Sequence, residues 1–258
     1  MLWNHYVFRR GADVHDMWDT LFANRTVRLL YVAGRGFDTR AQTVMSEFVG
    51  NLKLTGAHVE RADLLLIRFT AYRLDGALKQ QIETKADALP DTFQSLGGHR
   101  TVSIGPSAEG EDDLTATNAL RLGADEVLAA VTDQTDIVLD VSTLPRVAYL
   151  GLLTGLLEKL VPDKASPDAL WAKGVNFQVL VAEDAWLDGQ IRSEDPSNDL
   201  VLIPGFSSAL YAESVQDWPL VWFPILGDNR VSQLEKVLAS AIPEFAEICP
   251  VLLLPSKE

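Results

Sequence analysis

The feature that most constrains this chain is an alternation. Short, nearly continuous apolar runs alternate with segments whose apolar residues recur at helical spacing. The run TVRLLYVAG at 26–34 is the clearest of the first kind and stops at a glycine. Apolar residues at successive positions leave no polar face, so such a strand must be covered on both sides. TRAQTVMSEFVGNL follows, with Ala41, Val44, Met45, Phe48, Val49 and Leu52 on one helical face. ADLLLIRF, RTVSIG, TDIVLDVSTLPR, VNFQVLVAED, DLVLIPGF, WPLVWFPIL and EICPVLLLP read as further strands. HDMWDTLF, DGALKQQIETKADAL, GEDDLTATNALRLGADEVLAAVT, VAYLGLLTGLLEKLV and RVSQLEKVLASAI read as helices. In HDMWDTLF the residues that would pack on a sheet are Met17, Trp18, Leu21 and Phe22. Strands separated by helices pair in parallel through crossovers. The expected fold is therefore α/β: a Rossmann-like, doubly wound, mostly parallel sheet with helices on both faces.

With 258 residues, 47% of them hydrophobic, the chain can bury a large core as one domain spanning 1–258. The one soft, acidic and turn-rich stretch is AEDAWLDGQIRSEDPSNDL. It gives the alternative division, a core over 1–182 and a smaller half over 183–258. The last apolar run, EICPVLLLP, lies so near the end that an N-terminal piece of a longer protein, with a missing C-terminal domain, is a second expectation. The irregular start LWNHYVFRR suggests an arm reaching another subunit, hence a homo-oligomer.

Charge and composition exclude several classes. The formal charge is −14, from 22 Lys and Arg against 36 Asp and Glu. A broad nucleic-acid surface needs dense cations and is not expected. A single cysteine, Cys249, allows neither an internal disulfide nor a cysteine-based zinc site. No two histidines stand at helical i, i+4 spacing, and no metal site is expected. The start lacks the order of a signal peptide, and no apolar run approaches the roughly 18–20 residues of a membrane span. No membrane partner and a reducing, cytoplasmic setting are therefore expected. The Gly-Lys-Ser/Thr of phosphate-loop hydrolases is absent. Gly205-Phe206-Ser207-Ser208-Ala209 approximates a nucleophile elbow, but His5, His15, His58 and His99 all precede it, whereas that chemistry needs a later histidine.

In an open parallel sheet, ligands bind beyond the carboxyl ends of the strands. The residues just past the expected strands are therefore the candidates for chemistry. Gly34, Arg35, Gly36, Asp38 and Arg40 follow the first run. Asp140, Ser142, Thr143 and Arg146 follow DIVLDV, and Gly227, Asp228 and Arg230 follow WFPIL. Glycines let a backbone approach a ligand, helix N-termini offer free N–H groups, and arginines clamp phosphate or carboxylate. Each arginine has an equally simple alternative partner: Asp38 for Arg40, Asp140 for Arg146, Asp228 for Arg230. Asp140 can likewise cap the following STLPR turn.

The order Gly34-x-Gly36-x-Asp38-Thr39-Arg40 resembles the cofactor loop of leucine carboxyl methyltransferase-like enzymes, a branch of the S-adenosylmethionine-dependent family. The resemblance is local. It implies S-adenosylmethionine as cofactor, with Gly34, Gly36 and Arg40 as its contacts. The chain departs from the usual pattern at its second strand, where Arg68-Phe69-Thr70 stands in place of a ribose-binding acid.

The leading expectation is a module that senses a small anionic ligand, a nucleotide first of all, at its strand ends. The alternatives are an S-adenosylmethionine-dependent methyltransferase and a non-catalytic scaffold or interaction domain. No acid/base pair stands out, and no catalytic residue is assigned.

Overall fold

The structure is a computed structural model; it describes residues 6–36, 39–70, 80, 88–105, 113–161, 174–184, 219, 221–226, 231–242 and 246–252. The chain divides into two compact units, Met1–Arg192 and Ser193–Glu258.

In the first unit the elements run α1 (Ala12–Phe22), β1 (Thr26–Gly34), α2 (Thr39–Leu54), β2 (His58–Phe69), α3 (Ala88–Phe93) and β3 (Gly98–Ile104). They continue with α4 (Asp113–Ala129), β4 (Asp136–Asp140), α5 (Arg146–Leu160) and β5 (Asn176–Leu180). All the strands pair in parallel, in the order β3-β2-β1-β4-β5. The chain winds outward from β1 to β2 and β3, then returns past β1 to β4 and β5. Parallel crossovers keep one hand, so reversing the winding direction moves the helices to the other face.

Packing shows that switch of face. Val27, Leu29, Tyr31 and Ala33 of β1 join Trp18, Phe22, Met45, Phe48, Leu52, Leu89 and Phe93, beneath α1, α2 and α3. Leu30 and Val32 join Ile67, Val102, Val127, Ile137, Leu139, Leu152 and Leu156, beneath α4 and α5. Both faces of β1 are thus covered, which is why its sequence has no polar alternation. The expected α/β, doubly wound, Rossmann-like sheet is present, wholly parallel in this unit.

The helical patterns land where their periods put them. Ala41, Met45, Phe48, Val49 and Leu52 of α2 are buried, with Val44 packed beside them. Trp18 and Phe22 of α1 are buried, with Met17 and Leu21 against the same core. Trp18 also donates its Nε1–H to Gln178 Oε1 at 2.8 Å, fastening α1 to β5. In α5 only the face of Ala148, Leu152, Leu156 and Leu160 is buried, less than its apolar sequence suggests. β2 starts earlier than ADLLLIRF implies. Its first half alternates between exposed and partly covered residues because β3 pairs with it only from Asp63 onward.

The second unit holds β6 (Val221–Trp222), β7 (Ile225–Leu226), α6 (Val231–Ala241), β8 (Glu247–Ile248) and β9 (Val251–Leu252). β6 pairs with β8 and β7 with β9, both in parallel. WPLVWFPIL and EICPVLLLP, each expected as one strand, are each divided in two. The breaks fall at Pro224 and Pro250, and proline has no N–H to give a ladder. Cys249 N–H to Trp222 O and Val251 N–H to Pro224 O, both 2.8 Å, carry the pairing across the breaks. Most of DGALKQQIETKADAL and all of DLVLIPGF and Gly205–Ala209 lie outside the described residues.

Candidate functional site

The strand order reverses between β1 and β4, and the carboxyl ends of strands at such a reversal are where open parallel sheets bind ligands. The loop after β1 brings Gly34, Arg35 and Gly36 to this rim, and Arg40 stands in the first turn of α2. The loop after β4 brings Ser142 and Thr143, and Arg146 opens α5. Ala33 and Asp140 are register partners, so the two loops leave the sheet side by side.

Hydrogen bonds tie these loops to each other. Arg35 N–H donates to Ile67 O at 2.8 Å, drawing the β1 loop along the end of β2. The Thr143 hydroxyl donates to Gly34 O at 2.9 Å. Ser142 Oγ accepts from Ala182 N–H at 2.9 Å, and Val141 N–H donates to Leu180 O at 3.0 Å, joining β4 to the end of β5.

Asp140 is fully buried under this rim. Its Oδ1 accepts from Ser142 N–H at 3.0 Å, the turn-capping role, and its Oδ2 accepts from the Tyr31 hydroxyl at 3.1 Å. Burial first, then the Asp140 charge and this hydrogen bond, push the Tyr31 phenol well above its ordinary pKa. Tyr31 is therefore a neutral donor at physiological pH. Sequence reading missed Tyr31, which looks like one more apolar strand residue. Its partner is 109 positions away, so no local signal marks it.

The helix ends give the rim its sign. N-termini carry partial positive charge, and acids in the first turn normally offset it, as Asp13 does in α1 and Asp91 in α3. Neither α2 nor α5 has an acid in its first turn. Each has an arginine there instead, Arg40 and Arg146, in a chain of net charge −14. Arg146 is exposed, and Arg35 and Arg40 are half-buried. Glu183 and Asp184 follow β5 at the same end of the sheet. β2 ends in exposed Arg68 and half-buried Phe69, with no carboxylate at the ribose position.

Asp38, Gly227, Asp228 and Arg230 lie outside the described residues. Among the described residues, no group of three or more His, Cys, Asp or Glu could hold a metal ion. None of the described helices is long and apolar enough to cross a membrane.

The opposite end of the sheet is different. A cleft of about 300 Å³ opens at the start of β3, lined by Leu30, Asp63, Leu65, Gly98, His99 and Arg100. Cations there face carboxylates: Arg100 lies 3.5 Å from Glu126, Arg28 3.4 Å from Glu60, and Arg61 bonds Asp133. The hydrogen bond from Arg61 holds Asp133 below the usual carboxylate range. Arg28 and Arg61 are register partners on β1 and β2, and Asp133 offsets their repulsion. This end reads as a structural ion-pair network.

Comparison with protein-family models, with curated proteins and with solved structures gives no match.

Proposed function

We propose that the first unit binds a small anionic ligand, a nucleotide in the first instance, at the carboxyl ends of β1 and β4, and acts as a ligand-sensing module. One observation carries this reading. The two helices that start beside the strand-order reversal each carry an arginine and no acid in the first turn, inside an acidic chain. That arrangement adds cationic side chains to the positive ends of two helices, which suits an anion at the rim. Arg40 and Arg146 are the leading contacts, with Arg35 beside them. Sensing is favoured over catalysis because the carboxylate at the end of β4, Asp140, is buried and bonded internally.

A second reading, methyl transfer from S-adenosylmethionine, has its own support. The Gly34-x-Gly36-x-Asp38-Thr39-Arg40 match begins at the last residue of β1 and ends in the first turn of α2, the strand–loop–helix setting such a loop requires. The missing acid at the end of β2 counts against it.

One experiment separates these readings. Thermal shift is measured with S-adenosylmethionine, S-adenosylhomocysteine, NAD, ATP, GTP and cyclic nucleotides, on wild type, Arg40→Ala and Arg146→Ala. A ligand at 100 times its Kd stabilises by about 2.7 kcal/mol, a shift of several degrees. A shift with a nucleotide that either substitution abolishes supports the sensing module. A shift confined to the adenosylmethionine pair supports methyl transfer. No shift with any of them refutes both and leaves the scaffold reading.

A further inference from the structure

Gly34 and Gly36 invite the assumption that a ligand approaches them. The structure gives a different occupant. A Cβ on Gly34 would lie 2.6 Å from Thr143 Oγ1 and 2.9 Å from Thr143 O. A Cβ on Gly36 would lie 2.9 Å from Thr143 Cβ. Conformation is not what requires glycine at these positions, since neither has a positive φ, unlike Gly11, Gly56, Gly105 and Gly174. Space is the reason, and Thr143 fills it.

Thr143 and the preceding Ser142 are together held by three hydrogen bonds. The Thr143 hydroxyl donates to Gly34 O, Ser142 receives Ala182 N–H, and buried Asp140 receives Ser142 N–H. We infer that Thr143 is the positioning residue of the rim: its Cβ, against Gly36, and its hydroxyl, on Gly34 O, set the separation of the β1 and β4 loops. That separation fixes where the first turn of α2, with Arg40, stands relative to the first turn of α5, with Arg146. The hydroxyl proton is committed to Gly34 O, so the glycines and Thr143 serve each other and ligand contact falls to the arginines. The consequence for ligand binding rests on the proposed function; the clasp itself does not.

Two variants test this. Thr143→Val keeps the shape and loses the hydroxyl, and Thr143→Ser keeps Cβ and the hydroxyl and loses only the methyl. Hydrogen exchange is followed by mass spectrometry on the peptide spanning 34–41, whose Arg35 N–H is bonded to Ile67 O. Thr143→Val exchanges there about fivefold faster, the factor corresponding to about 1 kcal/mol for one lost hydrogen bond, and Thr143→Ser exchanges as wild type does. Equal behaviour of the two variants overturns the inference. Gly36→Ala lowers the urea midpoint in wild type and does so less in a Thr143→Gly background; an equal loss in both overturns it as well. If a nucleotide binds wild type, its affinity falls in Thr143→Val and holds in Thr143→Ser. Unchanged affinity in Thr143→Val makes Thr143 a packing residue only, and the positioning role is lost. If no nucleotide binds wild type, the proposed function fails while the exchange and urea comparisons still decide the clasp.

Discussion

Replacing Tyr31 by phenylalanine removes one oxygen from the middle of the first unit and changes how its stability responds to pH. Tyr31 has no exposed surface, and its ring lies edge-on to Phe48 at 5.4 Å, contacts that phenylalanine keeps. What disappears is the hydroxyl donated to Asp140 Oδ2. A hydrogen bond to a carboxylate contributes about 2 kcal/mol, so Tyr31→Phe lowers the unfolding free energy by about that much at neutral pH. The alkaline range gives the sharper test. The unfolded chain releases the phenol proton near pH 10, whereas the folded state holds it to a higher pH because burial and Asp140 oppose the phenolate. The folded state then binds more protons than the unfolded one, so stability falls as pH rises. The Tyr31 contribution is full below about pH 10 and declines above it by about 1.4 kcal/mol per unit, until the folded group itself titrates. Urea unfolding of wild type and Tyr31→Phe at pH 7, 9, 10 and 11 measures this as a difference, in which the other tyrosines cancel. The variant's deficit stays constant to pH 9 and shrinks by about 1 kcal/mol between pH 10 and 11, where the unfolded phenol is still titrating. A deficit that stays constant through pH 11 refutes the buried, Asp140-facing phenol.

Other substitutions probe the rest of the frame. Phe48 is fully buried and touches the rings of Trp18 at 5.2 Å and Phe22 at 5.7 Å, so Phe48→Ala should cost about 3–5 kcal/mol in urea unfolding and weaken the near-ultraviolet circular dichroism. A Cβ on Gly97 would overlap the Ala62 carbonyl oxygen on β2, so Gly97→Ala should cost about 3 kcal/mol by displacing the start of β3. Its neighbour is the control: a Cβ on Gly98 meets nothing within 4 Å, and Gly98→Ala should stay within about 0.5 kcal/mol of wild type. Asp140→Ala strands the Tyr31 hydroxyl and the Ser142 N–H together and should lower the urea midpoint by more than Tyr31→Phe does.

The amino-acid sequence by itself determined the elements and the class of fold. TVRLLYVAG has no polar alternation, so it had to be a strand covered on both faces. The spacing of Ala41, Met45, Phe48, Val49 and Leu52 marked the buried face of α2 from residues a few positions apart. These are local constraints, written within a dozen or so residues, and binary pattern is enough to express them. The positions of strand ends were also legible, which is why Gly34, Arg35, Arg40, Ser142, Thr143 and Arg146 could be gathered as rim residues. Where proline removes a ladder donor, as at Pro224 and Pro250, the apolar pattern overstated the strand. Only the tertiary structure decided the strand order, and with it which loops meet. The contacts that define the rim join residues 109 positions apart in the chain, Thr143 with Gly34 and Asp140 with Tyr31. A glycine that makes room for a ligand and one that makes room for Thr143 are spelled the same way. What separates them is the distance between two loops, which exists only once the sheet has brought β1 and β4 side by side.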